Sequence, residues 1–415
     1  MRNPFTPREA PALVRARIGV FGYFATSGFV MGTWAAGLPA IDERLQLGPG
    51  RMGTALLLIA LGALVSMLVV GRISDRHTSR VVSRIAGPVT ALTLLGPVLA
   101  GSYAWLLGFA VAYGITVGFI EVSMNVNSIE VEVRYNRPIV SAFHGLWSLG
   151  GAAGGALTSM GLHAGLDSQA MLVGFVTLAA VSFLYFGRML LPPPPPPAVA
   201  AESPSATPAA TRLRWGLVLL LGVVAFAGHL AEGAAIDWAA IHARRILDTP
   251  LSNAPIAYTA FGMAMTVVRL AGDPIRSRLG PARTLLFAGI FATAGYGLVL
   301  ASPLADGMGF ALACTGWVFT GMGLATVVPV VFSAIGSSQG AVGKALSMVT
   351  VFGSAGLLVG PAVIGHLAEA TSLPTALIVP GILAAVVAVA GPSAIRALRL
   401  KDSATQQPAV AEAVG

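Results

Sequence analysis

Twelve apolar runs, each about as long as a membrane is thick, leave this chain little choice of fold. A helix needs about 20 predominantly apolar residues to cross the hydrocarbon core of a bilayer. Runs of that kind lie near residues 15–40, 52–72, 82–102, 104–127, 138–162, 169–190, 215–240, 253–275, 283–302, 306–335, 343–367 and 374–395. The charge content agrees with them: only 10% of the 415 residues are charged and 55% are hydrophobic, whereas soluble domains carry about 25% charged residues. With a mean hydropathy of +0.80, the natural solvent of the chain is lipid. The expected fold is an all-α membrane protein of twelve transmembrane helices.

The run from Ile18 to Ile41 follows Arg2, Arg8, Arg15 and Arg17, as a secretory signal would. It is longer than the 7–15 apolar residues of a signal, so it is read as the first span. The placement of charge then tests the count. Alternate gaps should differ in Lys and Arg, the cytoplasmic ones being richer. With the N-terminus inside, Arg44, Arg51, Arg244 and Arg245 fall in outer loops and Arg269 falls within a span; the other twenty of the 25 Lys and Arg residues fall on the inner side. A missed helix would invert the sign of every gap after it, so the asymmetry supports both number and direction.

The net charge of +8 forms no continuous basic face, which argues against nucleic-acid binding. Cys314 is the one cysteine. It excludes an internal disulfide and any multi-cysteine metal site, and it reads as a small buried apolar residue. No phosphate-binding loop, zinc-type cluster or nucleophile elbow is present, so neither an ATP-driven pump nor an enzyme is expected, and no cofactor or metal. The expected partners are a small-molecule solute, protons and the bilayer, with the chain a monomer.

Residues 191–214 break the apolar pattern with six consecutive prolines, Pro192 to Pro197, followed by Ala, Ser, Thr and Pro. Such a stretch is stiff and extended and packs no core; it reads as a spacer, with a proline-rich recognition site as the alternative. It divides the chain into a six-helix bundle at 1–190 and another at 215–415. The halves are related in register. A shift of about 204 residues superposes Trp34 on Trp238, Gly118 on Gly323, Gly151 on Gly356 and Gly155 on Gly360. Parallel repeats of this kind are a transporter architecture, with the solute site between the halves near mid-membrane.

Polar groups inside the spans are the candidates for function, because a charge at membrane depth needs a partner, a cavity or a role. Glu121 and Asn125 lie four residues apart on one face of span four. His144, with Trp147 and Ser148 on its face, lies at similar depth in span five, running the other way. A carboxyl and an imidazole there can exchange protons, and an indole offers a flat wall to a sugar-like ring. His229 and Glu232 share a face of span seven, with Asp237 and Trp238 toward its outer end. Arg269 in span eight either snorkels or pairs with a carboxylate or an anionic solute.

One loop and several span segments carry a family resemblance. Gly71-Arg72-Ile73-Ser74-Asp75-Arg76 with Arg80 resembles the cytoplasmic loop signature of the major facilitator superfamily, and Gly272-Asp273-Pro274-Ile275-Arg276 is a degenerate second copy. The resemblance implies a gating role for Gly71, Arg72, Asp75, Arg76, Arg80 and Asp273, with Asp75 latching the inner side. Gly32-Thr33-Trp34 with Leu38-Pro39, Phe143-His144-Gly145-Leu146-Trp147-Ser148, and Glu232-Gly233-Ala234-Ala235-Ile236-Asp237-Trp238 resemble a bacterial branch of the superfamily. That branch includes a membrane protein encoded with rhizopine genes. More distantly, Gly118-Phe119-Ile120-Glu121-Val122-Ser123-Met124-Asn125 is similar to the fucose permeases, which implies proton coupling at Glu121, sugar contact at Asn125 and cavity-facing positions for His144 and Trp147. The equal depth of His144 adds it as the proton partner of Glu121, and Trp34, His229 and Glu232 are the further solute-contact candidates. The second acid of those permeases is replaced here by Ala35. The chain is therefore expected to be a secondary transporter of a small polar solute, sugar-like or cyclitol-like, driven by protons in a bacterial inner membrane with both termini cytoplasmic. A drug or metabolite efflux pump and a non-transporting solute sensor are the alternatives.

Overall fold

A computed structural model describes residues 9–136, 139–192, 215–336 and 342–406, and every regular element among them is helical. The helices are α1 (Glu9–Leu45), α2 (Gly48–His77), α3 (Ser79–Thr93), α4 (Leu95–Val98), α5 (Tyr103–Tyr135), α6 (Val140–His163) and α7 (Ser168–Gly187), then α8 (Trp215–Arg245), α9 (Ala254–Leu279), α10 (Pro281–Ala301), α11 (Gly309–Leu324), α12 (Val327–Gly336), α13 (Val342–Ala370) and α14 (Leu373–Gln406). Each expected apolar run is helical. The third is split between α3 and α4, and the tenth between α11 and α12. Helices α1, α2, α5, α13 and α14 overrun their apolar runs at both ends, because polar flanking turns continue the backbone hydrogen bonding beyond the hydrocarbon.

Ten helical segments are long and apolar enough to cross a membrane. The two long helices outside that set are α1 and α6, of 37 and 24 residues. Their length suffices, but glycines, serines, a histidine and tryptophans dilute them. This composition has a packing reason. A Cβ added at Gly28 would fall 1.8 Å from the Trp147 carbonyl oxygen, and one at Gly32 would fall 2.0 Å from that of Gly151. The two backbones touch, as small residues allow in membrane bundles.

Tight turns make sequence neighbours antiparallel. Gln46 sits in the left-handed region at φ 48° between α1 and α2, and the Asp42 carboxylate accepts the amide of Gly48 to start α2. Asn136, at φ 54°, ends α5, where its amide donates to the Glu132 carbonyl. The Glu132 carboxylate in turn accepts the amides of Ile139 and Val140 at the start of α6. Side chains such as Leu68, Val133, Leu178 and Val389 are exposed on the outer surface, where lipid replaces water as the solvent.

The packing pattern repeats between the halves. In the first, α1 lies on α6 and α7, α5 on α2 and α3, and α3 on α7; in the second, α8 lies on α13 and α14, α11 on α9 and α10, and α10 on α14. The halves meet along two equivalent seams, α6 with α9 and α2 with α13. These are two six-helix repeats about a pseudo-twofold axis. The starts of α1 and α8 and the end of α7 lie at one end of the bundle, here called the linker end; the α1–α2 turn and the end of α8 lie at the far end.

Candidate functional site

Helix α5 carries Glu121 and Asn125 one turn apart, as the four-residue spacing demands. The Asn125 amide nitrogen donates to both the Glu121 carbonyl, at 2.8 Å, and the Glu121 carboxylate, at 3.1 Å. Glu121 lines a small pocket of about 30 Å³, walled also by Ser27 and Met31 of α1, Thr90 of α3, Tyr113 of α5, Trp147 of α6 and Phe183 of α7. That pocket lies wholly inside the first repeat. Glu121 and Trp147 therefore share one chamber, while Asn125 braces the carboxylate from the next turn.

His144 is not joined to Glu121 by a hydrogen bond or ion pair. Its ring stands edge-on to Phe24, with centroids 5.1 Å apart, and lies within electrostatic reach of Arg269. Depth along the helices places the two groups level, but depth carries no information about azimuth.

A second polar cluster joins the repeats. The Arg269 guanidinium on α9 donates from Nη1 to Ser148 Oγ of α6 at 2.7 Å, and from Nη2 to the Glu232 carboxylate of α8 at 3.0 Å. The Ser148 hydroxyl donates to the His144 carbonyl at 3.3 Å. Tyr258 of α9 lies within electrostatic reach of Arg269, Glu232 and Asp237, and its hydroxyl projects toward Gly151 of α6. Of the two fates open to Arg269, pairing with a carboxylate is the one observed. It lies near the end of the apolar stretch Ala254–Ala271 of α9, and its guanidinium turns inward to the carboxylate.

His229 and Glu232 share a face but not a bond. Glu232 turns to Arg269, whereas His229 bonds through Nδ1 to the Ala225 carbonyl at 3.1 Å and packs on Gly353 of α13. Trp34 is 3% exposed and packs on Tyr113, with centroids 6.0 Å apart. It stands behind the pocket wall and does not line it. Its repeat mate Trp238 is likewise buried.

The far end holds a pair of ion pairs that sequence reasoning missed. Arg245 at the end of α8 grips Asp42 at the end of α1, and Arg244 pairs with the neighbouring Glu43. Gly50 of α2 donates its amide to Glu369 of α13 at 3.2 Å nearby, and Gly53 meets Gly365 backbone to backbone. A signal for this latch did exist: the matching ends of the repeat-related helices α1 and α8 carry opposite charges. At the linker end the side chains of Gly71, Arg72, Asp75, Arg76 and Asp273 lie outside the described residues. Arg80 is described there, half-buried on α3.

The sequence profile of the Major Facilitator Superfamily matches residues 19–342. An uncharacterized transporter of Sinorhizobium fredii, y4wD, is 33% identical over 386 residues, covering 90% of this chain and 97% of its own. The membrane protein MosC of Rhizobium meliloti is 28% identical, covering 86% of this chain and 84% of its own. Among solved structures, a mutant of the nucleoside transporter NupG superposes with a TM-score of 0.70 at 14% identity, covering 92% of this chain and 99% of that one. A D-xylose-proton symporter superposes with a TM-score of 0.68 at 14% identity, covering 90% and 97%. A profile that runs through most of the chain and relatives matched nearly end to end leave one assignment for this pair of six-helix repeats: the chain belongs to the Major Facilitator Superfamily and is a multi-pass membrane transporter, not an enzyme.

Proposed function

We propose that the protein is a secondary active transporter that moves a small polar solute, sugar-like or cyclitol-like, by alternating access coupled to protons. The observation that carries this reading is the Arg269 bridge. Charged and hydroxyl groups of both repeats meet at membrane depth, where they are costly unless they serve a solute path. The far-end latch between Asp42 and Arg245 supports alternation, because such a tie must open for the opposite access state. Fold neighbours include a nucleoside transporter and a D-xylose-proton symporter, which favours a hydroxyl-rich cargo.

In this reading α1 and α6 also cross the bilayer, giving twelve spans in units 1–190 and 215–415 joined by 191–214. The protein is a monomer in a bacterial inner membrane, with both termini and the linker cytoplasmic. Glu121, in its apolar chamber, carries the coupling proton, with His144 assisting. Asn125 and Trp147 shape the chamber, Glu232 and His229 belong to the opposite wall, and Trp34 acts through Tyr113. The 71–80 loop, with Asp75, and its counterpart at Asp273 gate the inner side. Purified protein in liposomes tests this directly. Solute uptake driven by a pH gradient is expected, together with counterflow in its absence. Solute binding with neither flux would leave a sensor.

A further inference from the structure

The Arg269 bridge also says what kind of solute fits. Resting on the reading of a polar solute between the repeats, we propose that Arg269 recognises a hydroxyl of an uncharged, polyhydroxylated solute, and that the Ser148 hydroxyl occupies the place of that solute hydroxyl in this conformation.

Three features support the assignment. First, the two ends of the guanidinium do different work. Nη2 lies on the Glu232 carboxylate at 3.0 Å, which neutralises the charge, while Nη1 lies on a neutral hydroxyl oxygen, Ser148 Oγ, at 2.7 Å. A neutralised guanidinium with a donor to spare calls for another neutral oxygen, and the protein supplies one from its own chain. Second, the two bonds belong to different bodies. Glu232 and Arg269 both stand in the second repeat, whereas Ser148 stands in the first, so only the Nη1 bond breaks when α6 and α9 part. A guanidinium N–H stripped of its acceptor in low dielectric is unfavourable. A solute hydroxyl arriving there restores the bond and lowers the cost of the parted state. Third, the local charge disfavours anions. The Arg269 guanidinium is already paired with the Glu232 carboxylate, and Tyr258 lies within electrostatic reach of both. An entering carboxylate would be a second negative group on one guanidinium in a low-dielectric region.

The Ser148 hydroxyl is thus a competitor of the solute. Removing it in Ser148→Ala leaves Nη1 unoccupied and opens space for an incoming oxygen, so binding should tighten by about threefold to tenfold, the range the net worth of an ordinary hydrogen bond allows. A purely structural tie would behave oppositely, its loss loosening the seam without any gain in affinity.

The experiment uses purified full-length protein and matched probes: D-xylose, D-glucose, myo-inositol and uridine as neutral forms, D-glucuronate and D-galacturonate as carboxylates, D-glucosamine as an amine, and apolar cations as outsiders. Thermal shift and isothermal binding are measured for the wild type, Ser148→Ala and Arg269→Lys. The expected result is binding of a neutral probe in preference to its carboxylate and amine forms, tightened in Ser148→Ala and weakened tenfold or more in Arg269→Lys. Preference for a carboxylate or amine form, or unchanged or weaker binding in Ser148→Ala, overturns the proposal and leaves the transporter reading intact. Binding of apolar cations alone, or of no probe at all, overturns the polar-solute reading and this proposal with it. Should Arg269→Lys fail to fold, the Ser148→Ala result decides.

Discussion

Arg245 holds Asp42 through Nε and through Nη2, the latter at 2.9 Å, so the last turn of α8 is clamped side-on to the last turn of α1. The Asp42 side chain is 3% exposed and that of Arg245 is 37% exposed. The clamp therefore lies between the exposed and buried limits for ion pairs, worth about 1–2 kcal/mol to the far-closed state. Asp42→Asn should shift the population toward far-end opening by roughly fivefold to thirtyfold. Maleimide labelling of Thr54→Cys, at the α2–α13 seam, in a Cys314→Ser background reports it. Labelling should speed up in Asp42→Asn and fall back in the exchanged pair Asp42→Arg with Arg245→Asp. An unchanged rate in Asp42→Asn would mean the clamp holds no conformation.

Glu121→Gln should abolish pH-driven accumulation, since an amide releases no proton, and should leave counterflow partly intact. The Asn125 contact to that side chain can be kept by the amide oxygen, so the fold is preserved. His144→Gln should shift the pH optimum or weaken binding, a milder effect, because no bond joins it to Glu121. Full pH-driven uptake in Glu121→Gln would move the coupling role to Glu232.

Asp75→Asn should slow transport several-fold while equilibrium binding stays within a few-fold, as expected of a gate residue that does not touch solute. Flux and binding measured on the same preparation decide it. Loss of binding in folded protein would place Asp75 in the solute site.

Gly32→Leu should destabilise the first repeat. Even a Cβ there would fall 2.0 Å from the Gly151 carbonyl oxygen, and overpacking of a tight seam costs about 1–3 kcal/mol. Melting followed by tryptophan fluorescence in detergent should show a lowered midpoint. An unaltered melt would show that α1 and α6 yield easily.

A cysteine at Ser203, again with Cys314→Ser, tests orientation. Impermeant reagents should label it in inverted vesicles and leave it unlabelled in intact cells. Labelling in intact cells would reverse the inside-outside assignment.

Much of the fold was legible because lipid demands long apolar helices, so the helix order and the repeat follow from the sequence, while the 191–214 linker falls almost entirely outside the described residues. Single side chains were harder to place. Glu121 was visible as a carboxyl at membrane depth, yet its pocket proved to lie within one repeat, since helix depth does not fix which way a side chain turns. Arg269 stood out as the one basic residue within a span, but its choice of Glu232 over snorkelling depended on how α8 and α9 cross. The Asp42–Arg245 clamp escaped notice because its residues are far apart in sequence. Each was an ordinary loop charge until the two helix ends came together.

The close fit of α1 against α6 also bears on how the chain is made. These are the two long helices that fall outside the set apolar enough to cross a membrane on composition, and each supplies the other's missing contacts through Gly28, Gly32, Trp147 and Gly151. The partner of α1 emerges only after three further long stretches of helix, α2, α3 with α4, and α5, have been synthesised. At about 5–20 residues per second that interval is on the order of ten seconds. During it the Gly28 and Gly32 face of α1 has no α6 to pack on, so the glycine seam that shapes the finished bundle closes late in its synthesis.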